Sequence, residues 1–407
     1  MARIEAARIC IVRLSAVGDT VHALALANGL RAGYPGARIT WVLEKVPSEI
    51  VRNQESVDRL IVFDARSGIA EWNALRRELR AEKFDLVVVP QSSSKAALVA
   101  KLTGGRIRLG FDWQRSREIH SLAINRRIDP SPPVHAQDQY LQFLEWLGIP
   151  SEPRWDLRFT EEEEERAAHF ERQAGGRPTL ALVLASSHPE KDWPAESYAA
   201  LADRASRKFG LRTVLVGGPS AREAALARAI VNAASSGPMV ALDRPIRDTF
   251  LRLRTADVVV APDTGPLHAA VAMNVPTIGL FGYTDPARTG PFRRFHDLLV
   301  DKYRLAGEEQ QPLSRKTKPG RVGLITVGEV LEKVRLALDR YASERDPSGE
   351  VTGASCRIRL TGLDSSRRPA SPAGGESHAT HLSSTLDPLR LDSDRPLHLA
   401  GPDHRER

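Results

Sequence analysis

One feature constrains the fold of this 407-residue chain more than any other: short unbroken apolar runs alternate with amphipathic stretches, and the pattern occurs twice. Runs such as Ile9-Cys10-Ile11-Val12 and Val87-Val88-Val89 are apolar at consecutive positions. Strands of that kind are covered on both faces, and their alternation with helices predicts a parallel sheet. In residues 1–150 the pattern predicts strands over Arg8–Leu14, Arg38–Leu43, Arg59–Phe63, Asp85–Val89 and Arg106–Gly110. Helices are predicted over Val21–Ala32, Glu71–Ala81, Lys95–Leu102 and Ala136–Leu147.

A Pro-rich passage from Pro150 to Pro153 and a helix opening on Thr160 and Glu161 to Glu165 form a connector over 151–177. Thr160 suits a helix cap, and the glutamates suit the positive helix end as a solvated face. The rhythm then restarts over 178–342. Strands are predicted at Thr179–Leu184, Thr213–Val216, Met239–Leu242, Asp257–Val260 and Pro276–Leu280. Helices are predicted at Ala195–Phe209, Ala221–Ala233, Ile246–Arg254, Pro266–Met273 and Gly328–Tyr341. Two doubly wound α/β domains in tandem follow. Ligands in such sheets sit outside the carboxyl ends of the strands, so the loops there are where chemistry is expected. Residues 343–407 lack Phe, Trp and Tyr and are rich in Gly, Pro and Ser, so this tail is expected to be disordered.

Composition narrows the partners. Lys and Arg number 58 against 51 acids, a net charge of +7 without dense basic blocks. That balance permits an anionic surface or a phosphorylated substrate, and no basic stripe with interleaved aromatics points to nucleic acid. Two cysteines, Cys10 and Cys356, exclude a disulfide framework and a Cys-rich zinc site. No apolar stretch approaches the roughly 18–20 residues that span a bilayer. Arg13 and Asp19 interrupt the first apolar run, which resembles no signal peptide. A soluble or peripheral cytoplasmic protein is expected.

Five loops carry candidate residues. Arg13-Leu14-Ser15-Ala16-Val17-Gly18-Asp19 follows the first strand, where Gly18 permits a tight turn and Asp19 is either a helix cap or a base. Its single glycine disfavours a dinucleotide fingerprint. Lys191, in Lys191-Asp192-Trp193-Pro194, is either a surface lysine or a phosphate ligand. Gly217-Gly218 either makes a strand-to-helix turn or lets a nucleotide approach the backbone. In Asp263-Thr264-Gly265-Pro266-Leu267-His268, the amides of Thr264 and Gly265 at a helix start suit a diphosphate, and Asp263 suits sugar hydroxyls. Thr284-Asp285-Pro286-Ala287-Arg288-Thr289-Gly290-Pro291 reads as a Pro/Gly-rich turn.

Taken in order, Leu14-Ser15-x-x-Gly18-Asp19, Lys191-Asp192-Trp193-Pro194, Asp263-Thr264-Gly265-Pro266-Leu267-His268 and Thr284-Asp285-Pro286-x-Arg288-Thr289-Gly290-Pro291 resemble the lipopolysaccharide heptosyltransferase family across about residues 8–341. His135-x-x-Asp138-x-Tyr140 and the first-turn motif look most like its heptosyltransferase I branch. The resemblance implies a GT-B fold, two Rossmann-like domains facing a central cleft, with the acceptor in the first domain and ADP-heptose in the second. It implies an inverting, metal-independent transfer with no cofactor. The only Asp-x-Asp triplet, Asp392-Ser393-Asp394, lies in the tail. Carried over, Asp19 is the general base, while Lys191 with the amides of Thr264 and Gly265 meets the leaving diphosphate. Asp263 holds heptose hydroxyls, His268 supports it, Gly217 and Gly218 border the donor, and Ser15 lines the acceptor side. Arg13 stands where a lysine is often found. The implied acceptor is Kdo on lipid A at the cytoplasmic face of the inner membrane, with Arg52, Arg66, Arg115 and Arg117 as basic candidates for its carboxylates and phosphates. With no amphipathic anchor evident, membrane contact is expected to rest on charge and on the acceptor. Transfer to a later core sugar or of another sugar, a GT-B-fold nucleotide-sugar epimerase, and a non-catalytic sugar-nucleotide-binding module are the alternatives. Asp19 together with Lys191 argues against the last.

Overall fold

The computed structural model describes residues 4–341 except 117, 185–187, 243 and 309. The tail expected over 343–407, with Cys356 and the Asp392-Ser393-Asp394 triplet, lies outside the described residues, as does the candidate Arg117. The first half runs β1 (Arg8–Val12), α1 (Val17–Gly33), β2 (Arg38–Leu43), α2 (Lys45–Val51), β3 (Arg59–Val62) and α3 (Ile69–Glu82). It continues with β4 (Leu86–Val89), α4 (Ser94–Thr103), β5 (Ile107–Gly110), α5 (Glu118–Ala123), β6 (Arg126–Arg127) and α6 (Ala136–Trp146). The connecting helix α7 (Glu161–Ala174) leads to β7 (Thr179–Val183), α8 (Ala195–Phe209), β8 (Arg212–Val216), α9 (Ala221–Ala233), β9 (Met239–Ala241) and α10 (Ile246–Arg254). Then follow β10 (Val258–Pro262), α11 (Gly265–Ala272), β11 (Thr277–Phe281), α12 (Pro286–Thr289), β12 (Val300–Asp301) and α13 (Val327–Tyr341).

Both predicted sheets form, each with six parallel strands. Their orders are β3-β2-β1-β4-β5-β6 and β12-β11-β10-β7-β8-β9, the same doubly wound order counted from each sheet's first strand. Every residue of β4, β7, β10 and β11 is buried, the two-sided burial that consecutive apolar positions demand. The edge strands β6 and β12 have two residues each and show no periodicity, which is why the sequence pattern misses them. The short helices α2 and α5 escape it for the same reason. Cys10 is buried, and burial pushes its thiol up.

Two expectations are corrected here. Helix α1 starts at Val17 rather than Val21, so Gly18 lies inside it and makes no turn. The glutamate run is not wholly solvated. Thr160 and Glu163 form a reciprocal cap, with Thr160 N–H donating to Glu163 Oε2 at 2.8 Å. The same carboxylate is buried and accepts Arg247 Nη2 at 2.6 Å. Arg247, also buried, donates on to the Arg158 carbonyl at 2.6 Å and to carbonyls at the end of α2 at 3.4–3.5 Å. One guanidinium on α10 thus ties the second sheet's domain to the connector and to the first domain. Burial acts to raise Glu163's carboxyl, but hydrogen bonds from Arg247 hold it below its ordinary value.

Candidate active site

The sheet order decides where loops converge. In the first sheet β1 lies between β2 and β4, so the chain reverses its direction of winding at β1/β4 and a crevice opens beyond the carboxyl ends there. Arg13, just past β1, crosses this point: it donates to the Pro90 carbonyl at 3.1 Å and pairs with Asp19. Leu14 N–H donates to Gln91 Oε1 at 2.7 Å across the same gap. Asp19 is the third residue of α1, where it accepts the Ala16 N–H at 3.5 Å and the Tyr140 hydroxyl at 3.1 Å. Its side chain is 42% exposed against 10% for Arg13, so the carboxylate is clamped from behind and open in front. Burial pushes the Tyr140 phenol well above its ordinary value, with Arg13 opposing and Asp19 reinforcing the shift, so it stays a donor to that carboxylate.

The second sheet repeats the geometry at β7/β10. Lys191, on a turn held by the buried Trp193 indole, donates to Asp263 Oδ2 at 2.8 Å and to the Asp263 carbonyl at 3.0 Å. Trp193 Nε1 is itself fixed on the Ile325 carbonyl at 2.9 Å. Thr284 Oγ1 donates to Asp263 Oδ2 at 2.7 Å, and His268 Nε2 approaches Oδ1 at 3.6 Å. Burial acts to raise the Asp263 carboxyl, but His268 and the Lys191 ammonium hold it well below the usual carboxylate range. Among the described residues Oδ2 thus takes two protein donors, while Oδ1 faces only His268. An ammonium has three donors. Two of Lys191's go to Asp263, and among the described residues the third has no protein acceptor. Thr264 precedes α11 in extended conformation as its N-cap residue, its hydroxyl donating to the Pro262 carbonyl at 3.1 Å.

The two rims touch glycine to glycine. A Cβ on Gly18 would fall 2.7 Å from His268 Cδ2, and one on Gly265 would fall 2.4 Å from Val17 Cγ1. Close approach of α1 and α11, and no left-handed turn, is what demands glycine at 18. Behind this contact lie three histidines. The rings of His22 and His268 are 4.4 Å apart and those of His22 and His135 6.1 Å apart. His135 Nδ1 accepts the Gln137 N–H at 3.0 Å, so Nε2 carries the proton that it donates to the Gly290 carbonyl at 3.0 Å, across the domain boundary. Burial pushes His135 down to about 4 and drives His22 well below its ordinary value, so both are neutral.

Other expected residues fare differently. Ser15 is half-buried beside Asp19's helix. Arg66 is exposed just beyond β3. Arg115 is removed from the acceptor set: its guanidinium is spent on Asp112, Gln142 Oε1 and the Asp129 carbonyl, all within the first domain. Arg52 pairs with Glu49 at 2.9 Å, at the junction with Arg247. The Gly217-Gly218 turn is closed by Glu223, whose Oε1 accepts the Gly218 N–H at 2.8 Å, so that amide is not open to a nucleotide. The sequence reading gave no role to Tyr140 as Asp19's donor, to Thr284 or to His22. Tyr140 and Thr284 stand inside quoted motifs, which is the signal that pointed to them.

Comparison with solved structures gives the fold. The chain superposes on a glycosyl transferase family 9 protein from Veillonella parvula with a TM-score of 0.70 at 23% identity, covering 83% of this chain and 98% of that one. Escherichia coli heptosyltransferase WaaC with ADP-2-deoxy-2-fluoro heptose gives 0.62 at 24% identity, covering 81% and 99%. The fold is GT-B. Residues 72–314 match the model of glycosyltransferase family 9 (heptosyltransferase). Lipopolysaccharide core heptosyltransferase OpsX of Haemophilus influenzae is 31% identical over 294 residues, 72% of this chain and 83% of that protein. Lipopolysaccharide heptosyltransferase 1 of Escherichia coli K12 is 30% identical over 304 residues, 70% and 91%. The chain belongs to glycosyltransferase family 9, the heptosyltransferases, and is a glycosyltransferase of lipopolysaccharide biosynthesis.

Proposed function

We propose that the enzyme transfers L-glycero-D-manno-heptose from ADP-heptose to Kdo of Kdo-lipid A, by direct displacement with inversion and without a metal, at the surface of the inner membrane. The observation that carries this is the placement of one half-open carboxylate, Asp19, at the first switch point against the Lys191–Asp263 pair at the second. The names of the relatives, lipopolysaccharide core heptosyltransferase and lipopolysaccharide heptosyltransferase 1, supply the substrate class.

In this reading Asp19 takes the proton of the acceptor hydroxyl as that oxygen attacks the anomeric carbon. The bond from that carbon to the β-phosphate oxygen breaks on the opposite face, and ADP leaves with the electron pair. Tyr140 and Arg13 fix the orientation of the Asp19 carboxylate. A base so placed contributes about 10²–10⁴-fold. Lys191's third N–H and the amides of Thr264 and Gly265 meet the developing charge on the diphosphate, with the positive end of α11 behind them. Oδ1 of Asp263 receives a heptose hydroxyl, and Ser15 and Arg66 border the acceptor.

The test is ADP release from ADP-heptose with and without Kdo-lipid A. Release that requires Kdo-lipid A and yields heptosylated product supports the reading. Turnover of the donor alone, with a changed sugar configuration, would instead indicate an epimerase.

A further inference from the structure

Helix α5 presents the wrong residues to water. Its inner face is ordinary: His120, Ala123 and Ile124 just beyond are buried, and His120 Nδ1 lies 2.9 Å from Ser116 Oγ. Its outer face carries Ile119 and Leu122, which are 55% and 78% exposed and one helical turn apart, hence on one side. Trp113, 69% exposed, joins them: Arg127 lies 3.6 Å over its ring and donates to the carbonyl of Ser121, next to Leu122. The neighbouring α4 adds exposed Leu98 and Lys101. Singly exposed apolar residues are unremarkable, whereas a cluster with a tryptophan marks a contact surface.

The charge around the cluster selects the partner. The described side chains of residues 106–127 include five arginines against Asp112. Asp112 is neutralised by Arg115, while Arg106 and Arg126 are exposed. An apolar patch with tryptophan and a rim of arginine is the chemistry of an interface with anionic lipid. Position agrees. The loop bearing Trp113 leaves the carboxyl end of β5, two strands from β1, so about 10 Å along the sheet edge that carries Asp19's loop. Among the described residues no helix is long and apolar enough to cross a membrane, so contact of this kind needs a surface.

We propose that Trp113, Ile119 and Leu122, with Arg127, form the surface by which this enzyme docks on an anionic phospholipid bilayer, beside the acceptor side of the cleft. The proposal rests on the acceptor being lipid-linked. It adds an apolar contribution to the expectation that contact rests on charge and on the acceptor.

The experiment uses the full chain and vesicles of phosphatidylcholine, with and without phosphatidylglycerol. Wild type is expected to cosediment with the phosphatidylglycerol vesicles and to be released by salt, with Trp fluorescence quenched by brominated acyl chains. The Ile119→Asp/Leu122→Asp pair should partition at least about tenfold more weakly, and the milder Leu122→Ser should fall between. Val231→Asp, at an exposed apolar site on α9, serves as the control and should bind as wild type does. Turnover on a soluble, deacylated Kdo acceptor should be unchanged in all variants, so failure of the sugar chemistry and failure of docking are told apart. Equal binding of the pair and wild type, or no binding by wild type, would overturn the proposal. So would a variant that changes only the oligomeric mass, because the patch would then be a contact between chains.

Discussion

Replacing Asp19 by Asn separates the proposed base from a merely structural carboxylate. The structural cost can be worked from its contacts. Asn keeps an oxygen for the Tyr140 hydroxyl or the Ala16 N–H but loses the charge that pairs with Arg13. That pair is half-open on the Asp19 side, so solvent screens it, and about 1 kcal/mol is the appropriate loss. In domains of this size that lowers the melting temperature by about 2–4 °C. Loss of a general base costs far more in rate, about 10²–10⁴-fold or about 3–5 kcal/mol of barrier. ADP affinity should stay near wild type, because the nucleotide contacts proposed for Lys191 and the Asp263 loop lie on the other rim. The companion Arg13→Gln removes the same ion pair and the bond to the Pro90 carbonyl yet keeps the carboxylate, and should lower the melting temperature at least as much as Asp19→Asn while retaining more turnover. Both are read by calorimetry, ADP titration and coupled ADP-release rates. Near-native kcat in Asp19→Asn would refute the assignment of the base.

Lys191→Ala should weaken ADP binding by about tenfold or more and slow transfer, because the ammonium gains strength as the leaving group acquires charge; unchanged ADP titration and turnover would return Lys191 to a structural partner of Asp263. Burial pushes His135 down to about 4 from the ordinary 6.5 of an exposed histidine, so the unfolded chain takes up its proton first. Its contribution is present above about pH 6.5 and is lost as pH falls towards 4, up to about 3 kcal/mol; His135→Gln should flatten the melting-temperature profile across that window. Gly18→Ala should force the rims apart against His268, and a fall of about tenfold in kcat/KM with at most about 1–3 kcal/mol of stability lost is expected. Wild-type kinetics in Gly18→Ala would show that the close approach is dispensable.

The tandem sheets were legible in the sequence because strand and helix periods are local properties. Helices α8, α9 and α10 run between the residues that the pattern predicts. Helix α1 did not, because Ala16 offers no capping oxygen and Asp19 supplies the reciprocal bond from inside the helix. Motif order likewise singles out Asp19, Lys191 and the Asp263 loop.

By itself, then, the sequence determined the layering, the loops at the strands' carboxyl ends and the residue types available there. Only the tertiary structure decided how those residues are used. Asp19 meets Tyr140 across 121 positions, Lys191 meets Asp263 across 72, and Arg115 turns inward to Asp112 and Gln142. Whether a charged side chain is spent on a neighbour or left for a ligand depends on partners brought together by the reversal of winding in each sheet. No local period encodes that, and the exposed face of α5 shows the same limit. An Ile and a Leu one turn apart read as core in any window, until packing of the opposite face leaves them pointing outward.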